Sequence, residues 1–329
     1  MNWFSFDFQD FAVAFLSILL EGIPYVLFGT LLSGIIDAMV PSHTMTKFLP
    51  KNATAAIFLC GGLGIIFPMC ECGIVPVIRR LIGKGLPVSC GIAYMLAAPI
   101  VNPVVAISTF AAFRGQDPMM MTSMRMVVAF GVAVLVGWIA DRFPVEKILR
   151  KKVLDSMPKG PGQAGLMFEP VKDAKQEGHG VKRNEVAVAD RKGHWREKLG
   201  IAVRTATTDF LDVSMYLVIG AAITSVFNTA VQQQIILPLA MNAWIASFSM
   251  MSLSGILSLC STSDAFIAAT FVAFPAAAKL AFLVFGPMMD LKLVFLYSSV
   301  FSKRFVFVLA IGLFVLIGVI CVRLTYLGI

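Results

Sequence analysis

The apolar segment 53–79 is long enough to cross a bilayer, yet the triplet Cys70-Glu71-Cys72 interrupts it near its centre. In lipid, backbone leaves the helical conformation only where it is buried in protein or lines a cavity. An ionisable side chain at that depth is costly and marks functional sites. The segment therefore predicts a broken membrane helix with a binding site at the break.

Composition places the whole chain in the membrane class. Hydrophobic residues make up 58% of the sequence and charged residues 14%, with a mean hydropathy of +0.84. Runs of the roughly 20 apolar residues needed for a transmembrane helix recur along the chain. They cover residues 11–39, 53–79, 86–113, 122–141, 206–230, 238–274, 275–300 and 304–326. We expect an all-α integral membrane protein with about eight transmembrane helices.

Positive charge is concentrated in residues 142–205, which hold 15 Lys/Arg against 8 Asp/Glu and account for most of the net +8. Such an excess is typical of cytoplasmic loops of membrane proteins and does not indicate a nucleic-acid site. Few apolar residues and the stretch Pro158-Lys-Gly-Pro-Gly162 favour a flexible, partly disordered linker. The linker would separate two transmembrane repeats, residues 1–141 and 206–329.

An even number of spans would place both termini on the cytoplasmic side with this linker, in the cell inner membrane. Arg114 and Arg125 would then lie on the exterior face, and so would Lys303 and Arg304, which disagree with the charge rule. The acidic residue Glu21 and the length of the first apolar stretch argue against a cleaved signal peptide.

The division into two repeats is based on internal similarity at an offset of about 190 residues. The matching segments are 21–29 with 212–220, 70–72 with 260–262, and 99–102 with 287–290. Four spans per half would give the halves the same orientation, as in transporters built from parallel repeats. If residues 74–82 form a re-entrant arm, both the number of spans and the symmetry change.

Prolines and polar residues predict helix breaks near the midplane of matched spans. Proline removes a backbone donor, and the freed carbonyl groups and helix ends of broken helices hold substrates or ions in transporters. The candidate substrate-binding residues are Cys70, Glu71, Cys72, Pro99, Asn102, Cys260, Ser261, Pro287 and Asp290. Three thiols, Cys70, Cys72 and Cys260, would suit Cu(I), Zn(II) or a trivalent metalloid, and would be ligands only for such a substrate.

Acidic residues within the apolar spans suggest the energy source. No phosphate-binding Gly-x-x-x-x-Gly-Lys-[Ser/Thr] loop occurs, so we expect neither ATP hydrolysis by this chain nor a resident cofactor. Intramembrane carboxylic acids serve as proton relays in transporters. Glu21, Asp212 and Asp264 are the candidates for proton coupling, with ion pairing to Lys292 as the structural alternative.

The chain also resembles a known family. The motifs Cys-x-Cys-Gly-x-x-Pro, Arg-Arg-Leu-x-x-Lys-Gly and Ala-Ala-Pro-Ile-Val-Asn-Pro, which begin at residues 70, 79 and 97, are similar to those of the bacterial predicted-permease family that includes the organoarsenical efflux permeases. The similarity extends over nearly the whole chain, including Cys260 and residues 286–290. It implies an inner-membrane efflux permease, with metalloid resistance as one outcome and Cys70 and Cys72 at the positions of the family's Cys motif.

Our prediction is thus a secondary transporter, not an enzyme, that exports a soft metal, a trivalent metalloid or organoarsenical, or another thiol-reactive solute. Its partners would be this substrate and the lipid bilayer, with no nucleic acid, and the sequence leaves room for a homo-oligomer. One alternative is a membrane thiol-disulfide oxidoreductase that uses Cys70 and Cys72, although neighbours two residues apart form a strained ring. The others are a permease for an unrelated organic solute and a scaffold or receptor.

Overall fold

The computed structural model describes residues 8–39, 49–50, 52–150, 154, 195–230 and 243–326. Within these ranges the regular structure is thirteen α-helices and no β-strand. The first-half helices are α1 Phe8–Met39, α2 Ala53–Ile66, α3 Glu71–Gly83, α4 Val88–Ala97, α5 Pro103–Ala112 and α6 Pro118–Ala140. The short α7, Val145–Ile148, follows, and the second half contains α8 Trp195–Ala230, α9 Ala243–Leu257, α10 Ser263–Thr270, α11 Ala276–Met288, α12 Leu291–Tyr297 and α13 Lys303–Tyr326.

Five segments in the described ranges are long and apolar enough to cross a membrane. They are Phe8–Ile36, Pro118–Ala140, Ala202–Val226, Ala276–Tyr297 and Lys303–Tyr326. The predicted all-α fold with multiple apolar helices is therefore confirmed. The other apolar helices, among them α2, α4, α5 and α9, are shorter, and their packing decides how the chain runs.

Residues 53–79 do not form one broken crossing as the hydropathy pattern predicted. Helix α2 runs parallel to α4: nearer their starts a Cβ on Gly137 of α6 would meet both Ile57 and Ala93, and near their ends a Cβ on Gly64 would lie against Ala98. Helix α3 runs back along α4, with Ile82 packed against Gly91 after a tight turn. Helices α2 and α3 therefore form a re-entrant hairpin whose tip carries Cys70.

Helices α4 and α5 together form a broken span. All residues of α4 are buried, and the chain leaves the helix at residues 98–102. Asn102 begins α5 as its N-cap: its Oδ1 accepts from the Val105 N–H and its Nδ2 donates to the Ala98 carbonyl, each at 2.9 Å. Helix α6 then returns along α4, and the Ser89 hydroxyl donates to Asp141 (2.9 Å).

The second half repeats this order of long, short and broken helices. Helices α9 and α10 flank a break at residues 258–262 that carries Cys260, and α11 and α12 flank a break at Met289 and Asp290. Asp290 caps α12 by accepting from the Leu293 N–H (2.7 Å), as Asn102 caps α5. Interruptions thus occur near the predicted positions, although Pro287 itself lies inside α11.

The first helices of the two halves, α1 and α8, pack against each other in opposite directions. A Cβ on Gly22 would meet Leu217, whereas twelve residues further along α1 a Cβ on Gly34 would meet Ala202 and Ala206. The prediction that the two halves share one orientation is therefore wrong for these helices. The re-entrant hairpin supplies the reason, since it returns to the side from which it started and leaves an odd number of crossings before α8.

The end of α6 and the start of α13 lie at the same end of the helix bundle. Leu149 forms a bridge with Phe301, and the Arg150 N–H donates to the Val300 carbonyl (3.0 Å). Lys303 and Arg304 therefore lie beside the start of the basic linker, which removes their predicted disagreement with the charge rule. We call this end of the helix bundle, which carries the end of α6 and the start of α13, the linker end.

The first turn of α1 and the last turn of α13 lie at the opposite end of the bundle, because α1 runs antiparallel to α8 and α13 begins at the linker end. Residues 1–7 and 327–329 lie outside the described residues, so the side of the membrane on which the two termini lie stays a prediction. Within the predicted linker, residues 195–205 belong to α8, and residues 155–194 lie outside the described residues as well.

Candidate substrate site between the helix breaks

A small cavity lies where the tips of the two helical hairpins meet α1. It is lined by Ile18, Glu21, Gly22, Tyr25, Cys70, Glu71, Cys72, Cys260 and Lys292. Its volume of about 10 Å³ is roughly what one water molecule needs. The cavity is therefore a small enclosed space to which both halves contribute thiols.

Helix α3 starts at this cavity. Cys70 is its N-cap residue, and Glu71 lies in its first turn, where the helix dipole favours a negative charge. Glu71 is 1% exposed, and its Oε1 accepts from the Lys292 ammonium at 3.3 Å. The acid of the Cys-Glu-Cys motif therefore belongs to a buried ion pair that joins the two halves of the chain.

Lys292 also binds the backbone of the second break. Its Nζ donates to the carbonyl oxygens of Ser258 (2.9 Å) and Leu259 (3.4 Å), and lies 3.5 Å from Asp290 Oδ2. Ser258 has φ of 49°, a left-handed conformation that is uncommon for a residue with a side chain. The break thus presents freed carbonyl groups to a cation, which here is the protein's own lysine.

A second polar cluster lies on the opposite side of the breaks. Arg125 of α6 donates to Thr109 Oγ1 (2.7 Å) and to the Ser261 carbonyl (2.8 Å), and it is 1% exposed. Charge counting predicted Arg125 on the exterior face. Its two partners lie 16 and 136 residues away in the sequence, so this burial could not be read from the local pattern. Asp264 is equally buried, and neither of its carboxylate oxygens has a hydrogen-bond partner within the described residues.

A third cluster joins α3 to α8 towards the linker end. Arg80 makes a bidentate contact with Asp209 (2.9 and 3.1 Å), and Arg79 bonds Asp212 (3.2 Å). Asp209 also accepts from the Ser33 hydroxyl of α1 (2.9 Å). Arg79 and Arg80 lie about 12 Å along α3 from Glu71, from the helical rise of 1.5 Å per residue.

Glycines close the contact between α1 and the tip of the first hairpin. A Cβ on Gly29 would overlap the Gly73 carbonyl, and a Cβ on Gly73 would lie 2.7 Å from the Tyr25 carbonyl. Small residues at such crossings let two helix backbones approach closely in membranes. As a result, α1 forms one wall of the cavity.

The structure brings together some of the predicted site residues and separates others. Cys70, Glu71, Cys72, Cys260 and Glu21 line the cavity, and Asp290 lies beside Lys292, which also lines it. Ser261 is outside the cavity lining, and its carbonyl accepts from Arg125 in the second polar cluster. Pro99, Asn102 and Pro287 are buried outside the cavity lining, and the Asn102 side chain caps a helix. Asp212 belongs to the cluster near the linker end, and Asp264 lies near Arg125.

The thiols do not form a ready-made metal site in this state. All six cysteines are free, and the described residues include no group of three or more His, Cys, Asp or Glu side chains arranged to hold a metal ion. The predicted three-sulfur ligand set would therefore require the cavity to rearrange around its guest.

Comparison with known proteins gives the family. The family model described as a predicted permease, ArsP_1, matches residues 7–326. The chain belongs to this permease family. Its apolar helices of membrane length agree with a multi-pass membrane protein, and membership favours a transporter over an enzyme.

Two relatives resemble the chain over most of their length. The UPF0718 protein YcgR of Bacillus subtilis (strain 168) is 36% identical over 297 residues, which are 90% of each chain. A putative two-component membrane permease complex subunit of Streptococcus mutans serotype c (strain ATCC 700610 / UA159) is 31% identical over 295 residues, covering 89% of this chain and 87% of the relative. No solved structure matches the chain.

Proposed function

We propose that this permease is a secondary transporter that exports a soft, thiol-reactive solute, with trivalent organoarsenicals and other soft metal or metalloid species as the substrate class. The observation that carries the proposal is the cavity at which Cys70, Cys72 and Cys260 meet the Glu71–Lys292 ion pair. Thiolates select soft acceptors. Permease-family membership supports transport over the oxidoreductase alternative.

The two halves would act as inverted repeats, each with a long helix, a re-entrant hairpin, a broken span and a final span. Transporters with inverted repeats hold their substrate at the repeat interface near the midplane and expose it to each side in turn. In the present arrangement α1 and the ion pairs of Arg79 and Arg80 with α8 close the route to the linker end. Opening that route would require these ion pairs to separate.

Efflux across the inner membrane follows if the linker end is cytoplasmic. Basic residues outside the cavity concentrate there, as the positive-inside rule expects. They include Arg79, Arg80, Lys84, Arg142, Lys147, Arg150, Lys303 and Arg304. Both chain termini would then be exterior, and the cell would gain resistance to the exported metalloid.

Proton coupling would use the buried acids. Asp264 is the leading candidate, because a charged carboxylate without a hydrogen-bond partner is costly in a buried site and binding a proton relieves that cost. Glu21 lines the cavity and would exchange protons there. Asp212 already pairs with Arg79, so its proton would be coupled to the ion pairs that close the linker end.

The test is transport into everted membrane vesicles, with trivalent methylarsenite, arsenite, Cu(I) and Zn(II) compared as substrates. A serine in place of Cys70, Cys72 or Cys260 retains a small polar side chain but lacks the soft sulfur donor, so we expect each of these variants to lose most of the transport. Cys321→Ser is the matched control, since Cys321 is fully buried in α13 and lies outside the cavity.

Normal transport by the triple serine variant at equal expression would contradict the sulfur-ligand proposal. If the wild-type protein transports none of the four substrates, the alternative of a permease for an unrelated organic solute is favoured instead.

A further inference from the structure

An apolar groove runs along the outside of the bundle between α6 and α13. Its walls include Ile139 and Phe143 on one side and Phe305, Leu309 and Leu313 on the other, and its volume is about 670 Å³. It is far larger than the thiol cavity and lies on the surface that faces lipid. The groove begins at the linker end, beside α7.

The length of the groove matches a lipid acyl chain. From Arg304 to Leu316 it extends about 18 Å along α13, slightly more than half of the roughly 30 Å hydrocarbon core. An extended hydrocarbon chain along the groove would therefore span about the depth of one leaflet.

The mouth of the groove is charged. Lys147 of α7 and Arg304 of α13 line it, and neither has a carboxylate within 4 Å among the described residues, although Glu146 lines the same groove. The guanidinium of Arg142 lies 4.0 Å above the Trp138 ring next to this mouth. Aromatic and basic side chains together mark the level of the lipid headgroups. With Glu146 as the one acidic side chain among the described residues of the lining, Lys147 and Arg304 give the mouth a net positive charge that complements an anion carrying a hydrocarbon chain.

We propose that the groove binds an anionic phospholipid, with its phosphate between Lys147 and Arg304 and one acyl chain along α13 as far as Leu316. Basic pockets between transmembrane helices at the cytoplasmic side bind anionic headgroups in this way. The lipid would bridge the final helices of the two halves at the linker end. Those helices flank the broken spans, since Gly137 of α6 packs on Ala93 and Phe314 of α13 packs on Phe285. A bound lipid would therefore stabilise the arrangement of the two halves.

Binding is measured on the full-length, delipidated protein by native mass spectrometry. Phosphatidylglycerol and phosphatidylcholine with identical acyl chains are titrated separately, and inorganic phosphate is added in a third arm. We expect phosphatidylglycerol to bind more tightly than phosphatidylcholine, and to raise the midpoint of thermal unfolding of the protein. The double variant Lys147→Gln/Arg304→Gln should weaken phosphatidylglycerol about 25-fold, or about fivefold per cation, while leaving phosphatidylcholine unchanged. Arg323→Gln, at the other end of α13, is the charge control.

A second pair of variants tests the acyl chain. A Cβ on Gly312 meets no atom within 4 Å, so Gly312→Leu should fill the groove without moving the backbone. We expect this variant to weaken the binding of phosphatidylglycerol at least tenfold. Gly131 on α6 is equally open but lies outside the groove lining, so Gly131→Leu is the matched control.

Equal binding of the two lipids, or wild-type binding by either the double variant or Gly312→Leu, would overturn the proposal. Competition by inorganic phosphate at the same concentration as the lipid would also overturn it, because the site would then recognise the anion alone.

Discussion

The Glu71–Lys292 pair gives the sharpest test of how the two halves are held together. Lys292→Met keeps the length of the side chain but removes the cation shared by Glu71, Asp290 and the Ser258 carbonyl. Removing one partner of a buried ion pair leaves the other charge uncompensated, at a cost of about 3–5 kcal/mol. At about 2 °C per kcal/mol for a chain of this size, the thermal midpoint should fall by roughly 6–10 °C.

The assay is thermal unfolding of the purified protein in detergent, followed by a double-mutant cycle. Glu71→Gln combined with Lys292→Met removes one of the two orphaned carboxylates, so we expect the pair to recover on the order of 2 kcal/mol relative to independent effects. Lys279→Met is the matched control, because Lys279 is also buried but bonds the neutral side chain of Gln116. Lys292 does not neutralise Glu71 if Lys292→Met melts no lower than Lys279→Met. The same holds if the losses of unfolding free energy from Glu71→Gln and Lys292→Met are strictly additive.

Three further predictions concern coupling, closure and sidedness. Asp264→Asn should remove the dependence of vesicle transport on an imposed pH gradient while retaining substrate binding, with Glu21→Gln having a smaller effect; unchanged dependence in the double variant would make both acids structural. Arg80→Asp and Asp209→Arg should each lower the thermal midpoint of unfolding, because each breaks the bidentate pair between α3 and α8. The charge-swapped double variant should recover part of this loss. No recovery would show that this pair does not join the two helices. In a cysteine-free background, a membrane-impermeant maleimide should label Thr325→Cys in intact cells and Lys303→Cys only in everted vesicles. The reverse pattern would refute the cytoplasmic placement of the linker end.

The positions of the helix breaks were predictable because their causes are local. Proline and the capping side chains of Asn102 and Asp290 act within a few residues, so the sequence is enough to locate them. The two Cys-bearing breaks were found in the same way, from polar residues that interrupt apolar runs. The candidate cavity is therefore largely composed of residues that could be named in advance.

The direction of α3 was not predictable from the same pattern. The sequence leaves open whether residues 74–82 form a re-entrant arm, and Arg79 and Arg80 argue against a separate membrane helix there, because an unpaired charge in a membrane is costly. Their partners, Asp209 and Asp212, lie about 130 residues away on α8. Only the tertiary contact shows that α3 is the returning arm of a hairpin. The inverted orientation of the halves depends on that one element.

Arg125 was predicted on the exterior face and is instead buried, for a related reason, whereas Lys292 had been named as an ion-pair partner of the buried acids. Each is a basic residue in an apolar span, and each bonds to the backbone of a break in a distant part of the chain, Arg125 to Ser261 and Lys292 to Ser258. Periodicity and charge counting give no information about such partners. A signal was nevertheless present, since a cation within an apolar run indicates a buried partner as readily as an exposed loop.

The two halves share an order of helices but differ in the chemistry of the positions that align between them. Glu71 aligns with Ser261, and Lys292 aligns with Val104, so the ion pair is present only on the side that α1 and α8 cover. At the equivalent position on the other side, the Ser261 carbonyl accepts from Arg125, and Asp264 has no hydrogen-bond partner among the described residues. The thiols and the paired acid therefore lie on one side of the breaks and Asp264 on the other. Under the proposed function, substrate and proton would occupy neighbouring but distinct sites, and movement of the breaks would affect both.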